Sequence, residues 1–441
     1  MQTRNAILIL LFFSSICVVS QDLDRIYSPT SFFTPDTVCV GQKFKIDNKI
    51  TGSTYYWSFC TANANNAPSG INLGNPGNNL TDPQFITIIK DSTECFSFIA
   101  DPGNQTVIRN YHGKSFRNSP VSSYKITAPP FSGVIKGIQV KKDQGDWYGF
   151  VANGSSMTRL FFGASLMNNN PSFITIPLNG VNSAMGLVIV KQGNDWIGFT
   201  VDDQSNNLTR FSFGASLSNT NPTIDNLGNI GFLSAPGSLA LTIDNNKWYM
   251  LINNQGDNTI SRLSFGNSLL LTPTGENLGN VGGLEQNTGI TLLHDCNYYH
   301  GFVINNQTDQ NNLVQLNFPS GITGPIYGMP LPNVGNLNRS YGISEIMRSG
   351  DTIYSFSTNE GSSSLTRLYL PGCNASIPSS FQGPNPDSIE YTIPGNFNNI
   401  LMVAYFFVHP KILIQHILLL YHRMIHNTAN QSYQHTYQFH L

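Results

Sequence analysis

Short runs of alternating hydrophobic and polar positions fill most of the chain, and no helical stripe competes with them. In residues 147–151, Trp147, Gly149 and Val151 face one way while Tyr148 and Phe150 face the other, as in a strand. The same run recurs. Trp147-Tyr148-Gly149-Phe150 leads to Thr158-Arg159-Leu160-Phe161-Phe162-Gly163, and Trp196-Ile197-Gly198-Phe199 leads to Thr209-Arg210-Phe211-Ser212-Phe213-Gly214. Trp248-Tyr249-Met250-Leu251 leads to Ser261-Arg262-Leu263-Ser264-Phe265-Gly266. Weaker copies start at Cys95, Tyr299 and Ile353. Their anchor residues fall at 109, 159, 210, 262, 315 and 367, a period of 50 to 53 residues.

Each unit holds three clear strands and a weaker fourth. About fifty residues for four strands is the size of one propeller blade. The first run of the unit, the aromatic strand and the Phe-Gly strand each occur six times. Units close on Asn226-Leu227-Gly228-Asn229, Asn277-Leu278-Gly279-Asn280 or Asn333-Val334-Gly335-Asn336. Asn72-Leu73-Gly74-Asn75 comes before the first full unit, and the sixth unit has no such ending. The pattern predicts an all-β, six-bladed propeller whose last blade is completed by an early strand around residues 69–75. Closure removes the exposed sheet edges.

Arg109, Arg159, Arg210, Arg262 and Arg367 hold the anchor position in five of six units, beside Trp147, Trp196 and Trp248 in three. One identical residue per repeat suits an assembly contact, so these are expected to be structural anchors that bond the adjacent loop. The alternative is a ring of arginines facing a central ligand. The glycine of the Phe-Gly pair is expected either to admit a neighbouring blade or to mark a bend.

The chain has 441 residues, 11% of them charged, with a net charge of −2, which offers no basic surface for nucleic acid. Residues 1–20 read as a signal peptide: Arg4, an apolar run over 6–16, and Val18-Val19-Ser20 before Gln21. The chain is therefore expected to be secreted or held at the outer cell surface. Five cysteines follow the leader, and in an oxidising compartment most should pair.

Residues 21–60 differ from the repeats, with Thr54-Tyr55-Tyr56-Trp57-Ser58-Phe59 as their most distinctive strand. This segment resembles the first half of a polycystic-kidney-disease (PKD) type immunoglobulin-like domain. Asn385-Pro386-Asp387, Ile389-Glu390-Tyr391 and Pro394-Gly395-Asn396-Phe397 resemble its second half. The resemblance implies a propeller (61–373) inserted in a PKD-like sandwich formed by 21–60 and 374–399. A Cys60–Cys373 disulfide would then flank the neck. The repeats themselves resemble secreted propellers of Bacteroidota, whose relatives carry PKD domains and sorting domains of the gliding and type IX secretion kind. Residues 400–441 depart from that pattern. They hold six of the nine histidines and read as a membrane anchor, a metal-binding tail or a frameshifted segment.

Catalytic motifs are sparse. Asp143-Gln144-Gly145-Asp146-Trp147 approaches the aspartate box of sialidases without completing it. Asp143, Asp202, Asp203, Asp244, Asp257, Glu285 and Asp351 fall mostly in turns, where Asp serves local hydrogen bonds. The hairpins at 202–207 and 253–258 are oxygen-rich enough to suggest calcium, although solvated tips look the same. The expectation is a non-catalytic adhesion module for an unidentified protein or glycan, without cofactor. The alternative is a glycosidase-like propeller, and two or more acidic side chains at the channel mouth would distinguish it.

Overall fold

The computed structural model describes residues 67–126, 131, 133–295, 298–306, 312–349 and 352–370, and the backbone of short strands within 32–58 and 380–440. The chain divides into two compact units, one of residues 62–371 and one drawn from both ends, 1–61 and 372–441. In the second unit, Lys43–Asn48 pairs with Ser388–Thr392, and Thr54–Ser58 lies between Ser380–Pro384 and Met402–His409. Strands thus continue into the tail, as Ile412–Met424 and His435–His440. Among the described residues no helix is long and apolar enough to cross a membrane. Residues 1–20 and the Cys60–Cys373 pairing lie outside the described residues, as do Cys39 and Cys296. Cys95, which is described, is a buried free thiol and takes no part in a disulfide.

The first unit is the six-bladed propeller that the repeat count predicts. Blades 1 to 5 are four-stranded antiparallel sheets, with innermost strands Phe85–Asp91, Ile135–Asp143, Ala184–Gln192, Pro236–Asp244 and Asn287–Asp295. Blade 6 is built from Ser340–Ile343, Met347–Ser349, Thr352–Asn359 and Ser364–Leu370. Its outer strand is Ser69–Asn72, which pairs Asn72 with Thr366 and Ile71 with Arg367. The early segment therefore closes the ring. Its Asn72 side chain also accepts from Gly74 N at 2.7 Å, the turn made by Asn226 with Gly228 and by Asn277 with Gly279. The third copy is three residues out of register with the motif comparison. Asn333 caps Leu337 as Asn280 caps Leu284, so it matches the last Asn of the motif and not the first.

Two glycine positions shape the ring. The Phe-Gly glycines mark bends: Gly163, Gly214 and Gly266 sit at φ near +70°, with no other chain pressed against Gly163 or Gly214. The glycine near the start of the innermost strand in blades 2 to 6 permits close approach instead. A Cβ on Gly342 would meet Gln84 O at 2.0 Å, and one on Gly289 would meet Tyr341 O at 2.8 Å.

The anchor arginines lock neighbouring blades. Each reaches the loop joining the third and fourth strands of the next blade. Arg109 Nη1 donates to Leu166 O at 2.7 Å, Arg159 to Leu217 O and Ser218 O at 3.0 and 2.6 Å, and Arg210 to Leu269 O at 3.0 Å. Arg262 donates to Ile322 O at 2.6 Å, and Arg367 crosses the closure to Phe116 O and Arg117 O. Gln315 replaces the arginine in blade 5. Its neighbour, blade 6, takes its fourth strand from the other end of the chain, so no such loop joins the two strands there. The tryptophans hold the opposite edge of the same seams. Trp147 Nε1 donates to Asp91 of blade 1 at 3.2 Å, with Lys142 over its ring, and Lys191 lies over the buried Trp196. Trp248 packs half-buried against the core.

Candidate active site

Antiparallel order sends the start of each innermost strand, the turns between second and third strands, and the inter-blade loops to one end of the ring. At that end five of the six second strands finish in a buried Asx whose side chain accepts from the backbone of the incoming loop. Asp101 Oδ2 takes Thr81 N at 2.7 Å, Asp202 Oδ2 takes Asn182 N at 2.6 Å, and Asn254 Oδ1 takes Ser234 N at 3.2 Å. Asn305 and Asn359 repeat the contact with Glu285 N and Asn338 N. Asp202 also accepts from Gln204 N and Ser205 N. These bonds outweigh the cost of its burial and hold its pKa below the ordinary value. Asp202, in one of the hairpins oxygen-rich enough to suggest calcium, thus accepts from the backbone of its own and the incoming loop. Among the described residues no cluster of three His, Cys, Asp or Glu could hold a metal ion.

The next residue in each turn lies at this end of the ring, the channel mouth, and differs from blade to blade: Pro102, Gly154, Asp203, Gln255, Asn306 and Glu360. Asp203 is paired with Lys136 of blade 2 at 2.7 Å, and Glu360 with Arg339 at 2.7 Å. Asp82 joins them from the loop leading into blade 1. Its pKa is raised, first by burial and then by the negative charges of Glu360 and Asp101. Asp82 Oδ1 and Asp203 Oδ1 are both buried, and neither has a hydrogen-bond partner among the described residues.

Tyr341, rooted in blade 6, lies within electrostatic reach of Gln255 of blade 4, Asp203 of blade 3, and Glu360 and Asp82. Burial is the main cause of its raised pKa, which keeps the phenol protonated. Phe85 of blade 1 packs edge-on against it at 5.4 Å. Behind this pair lies a channel of about 190 Å³ lined by the innermost strands of all six blades. Its walls are mainly aliphatic, with Lys141 and Glu345 as the charged groups. Glu345 accepts from Gln139 Nε2 at 2.7 Å, Thr87 Oγ1 at 2.9 Å and Ile88 N at 3.3 Å.

Of the acids singled out from sequence, Asp203 reaches the mouth. Asp143 lies between blades, accepting from Leu217 N and Ser216 Oγ at 2.9 Å. Asp257 accepts from its own hairpin's Thr259, and Asp351 lies outside the described residues. Asp82, Glu345 and Glu360 were missed. Glu360 was findable, because it follows Asn359 as Asp203 follows Asp202. The anchor arginines and tryptophans all lie at blade seams.

No family profile matches the chain, and no curated protein matches it. Solved structures do. A functionally unknown protein of Desulfotomaculum acetoxidans is 14% identical, with a TM-score of 0.43 over 75% of this chain and 92% of that one. A DUF4623 family protein of Bacteroides eggerthii is 9% identical, with a TM-score of 0.41 over 79% and 84%. The GH93 α-L-arabinofuranosidase of Fusarium graminearum is 9% identical, with a TM-score of 0.47 over 69% and 97%. At such identities the likeness shows the fold alone. The expectation of a non-catalytic, non-enzymatic adhesion module nevertheless requires correction. Glycoside hydrolases recur among the solved structures similar to this chain. The mouth also carries three carboxylates where a passive module would present amides, hydroxyls and backbone.

Proposed function

We propose that the propeller hydrolyses glycosidic bonds at this mouth. The observation that carries the reading is the pair of free, buried carboxylate oxygens, Asp82 Oδ1 and Asp203 Oδ1, which come from two blades and both lie close enough to Tyr341 to raise its pKa. Glycoside hydrolysis needs two carboxyl groups in unlike environments, one to deliver a proton and one to meet the sugar ring ionised. Asp82, with its raised pKa, is the proton donor to the leaving oxygen. Asp203, charge-paired through its other oxygen to Lys136, either takes a proton from the attacking water or bonds the anomeric carbon itself. Glu360 supports the donor electrostatically by disfavouring a second negative charge. Tyr341 and Phe85 form the floor on which the sugar rests. The apolar run over 6–16 supports an activity outside the cytoplasm.

The test is turnover of aryl glycosides and of gluco-, xylo-, arabino- and galacto-oligosaccharides by the full chain. Asp82→Asn and Asp203→Asn should each lower kcat by about 10²–10⁴-fold. Asp82→Asn should also abolish the alkaline limb of the pH profile. It should leave thermal stability equal or higher at neutral pH, because a raised carboxyl pKa means that ionisation costs folding energy once pH exceeds the ordinary value. A folded protein inactive on the whole panel, or full activity in the Asp82 variant, would refute the assignment.

A further inference from the structure

Three of the inter-blade loops carry a residue tolerant of left-handed backbone two positions before the N–H captured by the buried Asx. It is Gly180 at φ 81°, Gly283 at 71° and Asn336 at 55°. These residue types tolerate that backbone. Between blades 3 and 4 the same place holds Phe232 at φ 59°. A bulky side chain is a steric misfit there. Its ring gains nothing from the fold in return, being 72% exposed, the most exposed of the large hydrophobics among the described residues. Backbone strain combined with apolar exposure is a double cost that packing does not explain.

The position of the loop supplies a reason. Ala235 N donates to Asn206 Oδ1 at 2.6 Å, in the hairpin that carries Asp203. Gln255 N and Gly256 N donate to Ala235 O and Ser234 O at 3.1 and 3.0 Å. The loop thus bridges the two hairpins that carry mouth residues of blades 3 and 4. At its other end Ser261 Oγ bonds Gly231 O, which fixes Phe232 above the third strand of blade 4. That is two strand spacings, about 10 Å, outward from the innermost strand.

We propose that Phe232 is an outer sugar platform, stacking on the apolar C–H face of a pyranose ring further along a glycan whose scissile bond lies at the mouth. This rests on the glycosidase reading and deepens it: the substrate is an oligosaccharide longer than a disaccharide. Aromatic faces recognise such rings by contact area and polarised C–H groups. A rigid platform held in place before binding also limits the ordering cost.

The test compares Phe232→Gly and Phe232→Asn with the parent, using the four oligosaccharide series from dimer to hexamer and aryl monosaccharides. Both variants should hold or raise Tm, since both residues fit the left-handed backbone. Both should raise KM, or Kd measured on the Asp82→Asn background, by about five-fold for the longer members. Aryl monosaccharides should be turned over unchanged. Equal KM and Kd for parent and variants across all lengths would overturn the proposal while leaving the catalytic assignment intact. Absence of binding by either protein would overturn it as well. Loss of turnover in Asp82→Asn with no effect at Phe232 separates the two failures.

Discussion

Arg159→Met isolates one seam of the ring. Arg159 spends its guanidinium on Leu217 O and Ser218 O of the next blade at 3.0 and 2.6 Å, with no carboxylate partner among the described residues. Each charge-assisted bond contributes about 1.5–3 kcal/mol, and its loss leaves a carbonyl without its donor. The contact over the Tyr148 ring at 5.6 Å adds about 0.5–1 kcal/mol. Two terms oppose these. Burial disfavours the charged arginine and lowers its pKa, and its Nε is buried without a partner among the described residues. Methionine removes both costs and refills the space. The net loss should be about 2–4 kcal/mol. A unit of roughly 300 residues unfolds with an entropy of about 0.6 kcal/mol/K, so Tm should fall by about 3–6 °C. Differential scanning calorimetry of the full chain reads this directly. Arg159→Lys should recover about half, because one ammonium cannot present the arginine's planar fork to both carbonyls. A Tm within about 1 °C of the parent for Arg159→Met would refute the claim that the arginines hold the ring together.

Two further outcomes follow from the closure and from a buried histidine. A Cβ on Gly70 would meet Gly335 Cα and N at 2.8 Å, so Gly70→Val should push the closing strand off blade 6. Limited proteolysis would then cut near residues 69–75, and retention of a protected closing strand would contradict the account. His112 is packed against Phe116 and Phe356, with Nε2 at 3.0 Å from Ser97 Oγ. Burial lowers its pKa from 6.5 to about 4, helped by Arg367 and opposed by Asn118 O. The neutral ring therefore stabilises the fold fully above pH 6.5, and that stability, about 3 kcal/mol, is lost as pH falls towards 4. His112→Gln should be less stable at pH 7 yet show a flatter decline over this window in urea titrations, and an unchanged slope would count against it.

The ring was legible because it is written once per blade. Arginine recurs wherever a following loop exists, and its replacement by Gln315 precedes the one blade that borrows its fourth strand. The capping Asn was misaligned by three residues because Asn333-Val334-Gly335-Asn336 imitates the motif while Asn333 does the capping. The catalytic candidates were harder to see. Asp82 follows the captured Thr81 as Ser183, Ala235, Gln286 and Arg339 follow their captured residues, and those residue types share no pattern that a sequence comparison could align. Glu345 enters the channel because the innermost strand of blade 6 stops at Ile343 and resumes at Met347, a break that no hydrophobic pattern announces.

A sixfold ring of identical side chains could not perform the proposed chemistry. Symmetry would give every group around the axis the same environment, and hydrolysis needs one carboxyl that keeps its proton beside another that has lost it. The fold resolves this by dividing labour along each blade. Buried positions such as Asp101, Asp202, Asn254, Asn305 and Asn359 repeat one hydrogen bond and fix the loops. The very next residue is free to vary, from Pro102 and Gly154 through Asp203 to Glu360. Because Asp202 and Asn359 cap their loops equally well, the neighbouring acids can be changed without loosening the frame. Positions that break the repeat while the bonds around them recur are therefore the ones that folding leaves free to take up the proposed chemistry. Asp82, Asp203, Glu360, Tyr341 and Phe232 all meet that condition on one end of the ring.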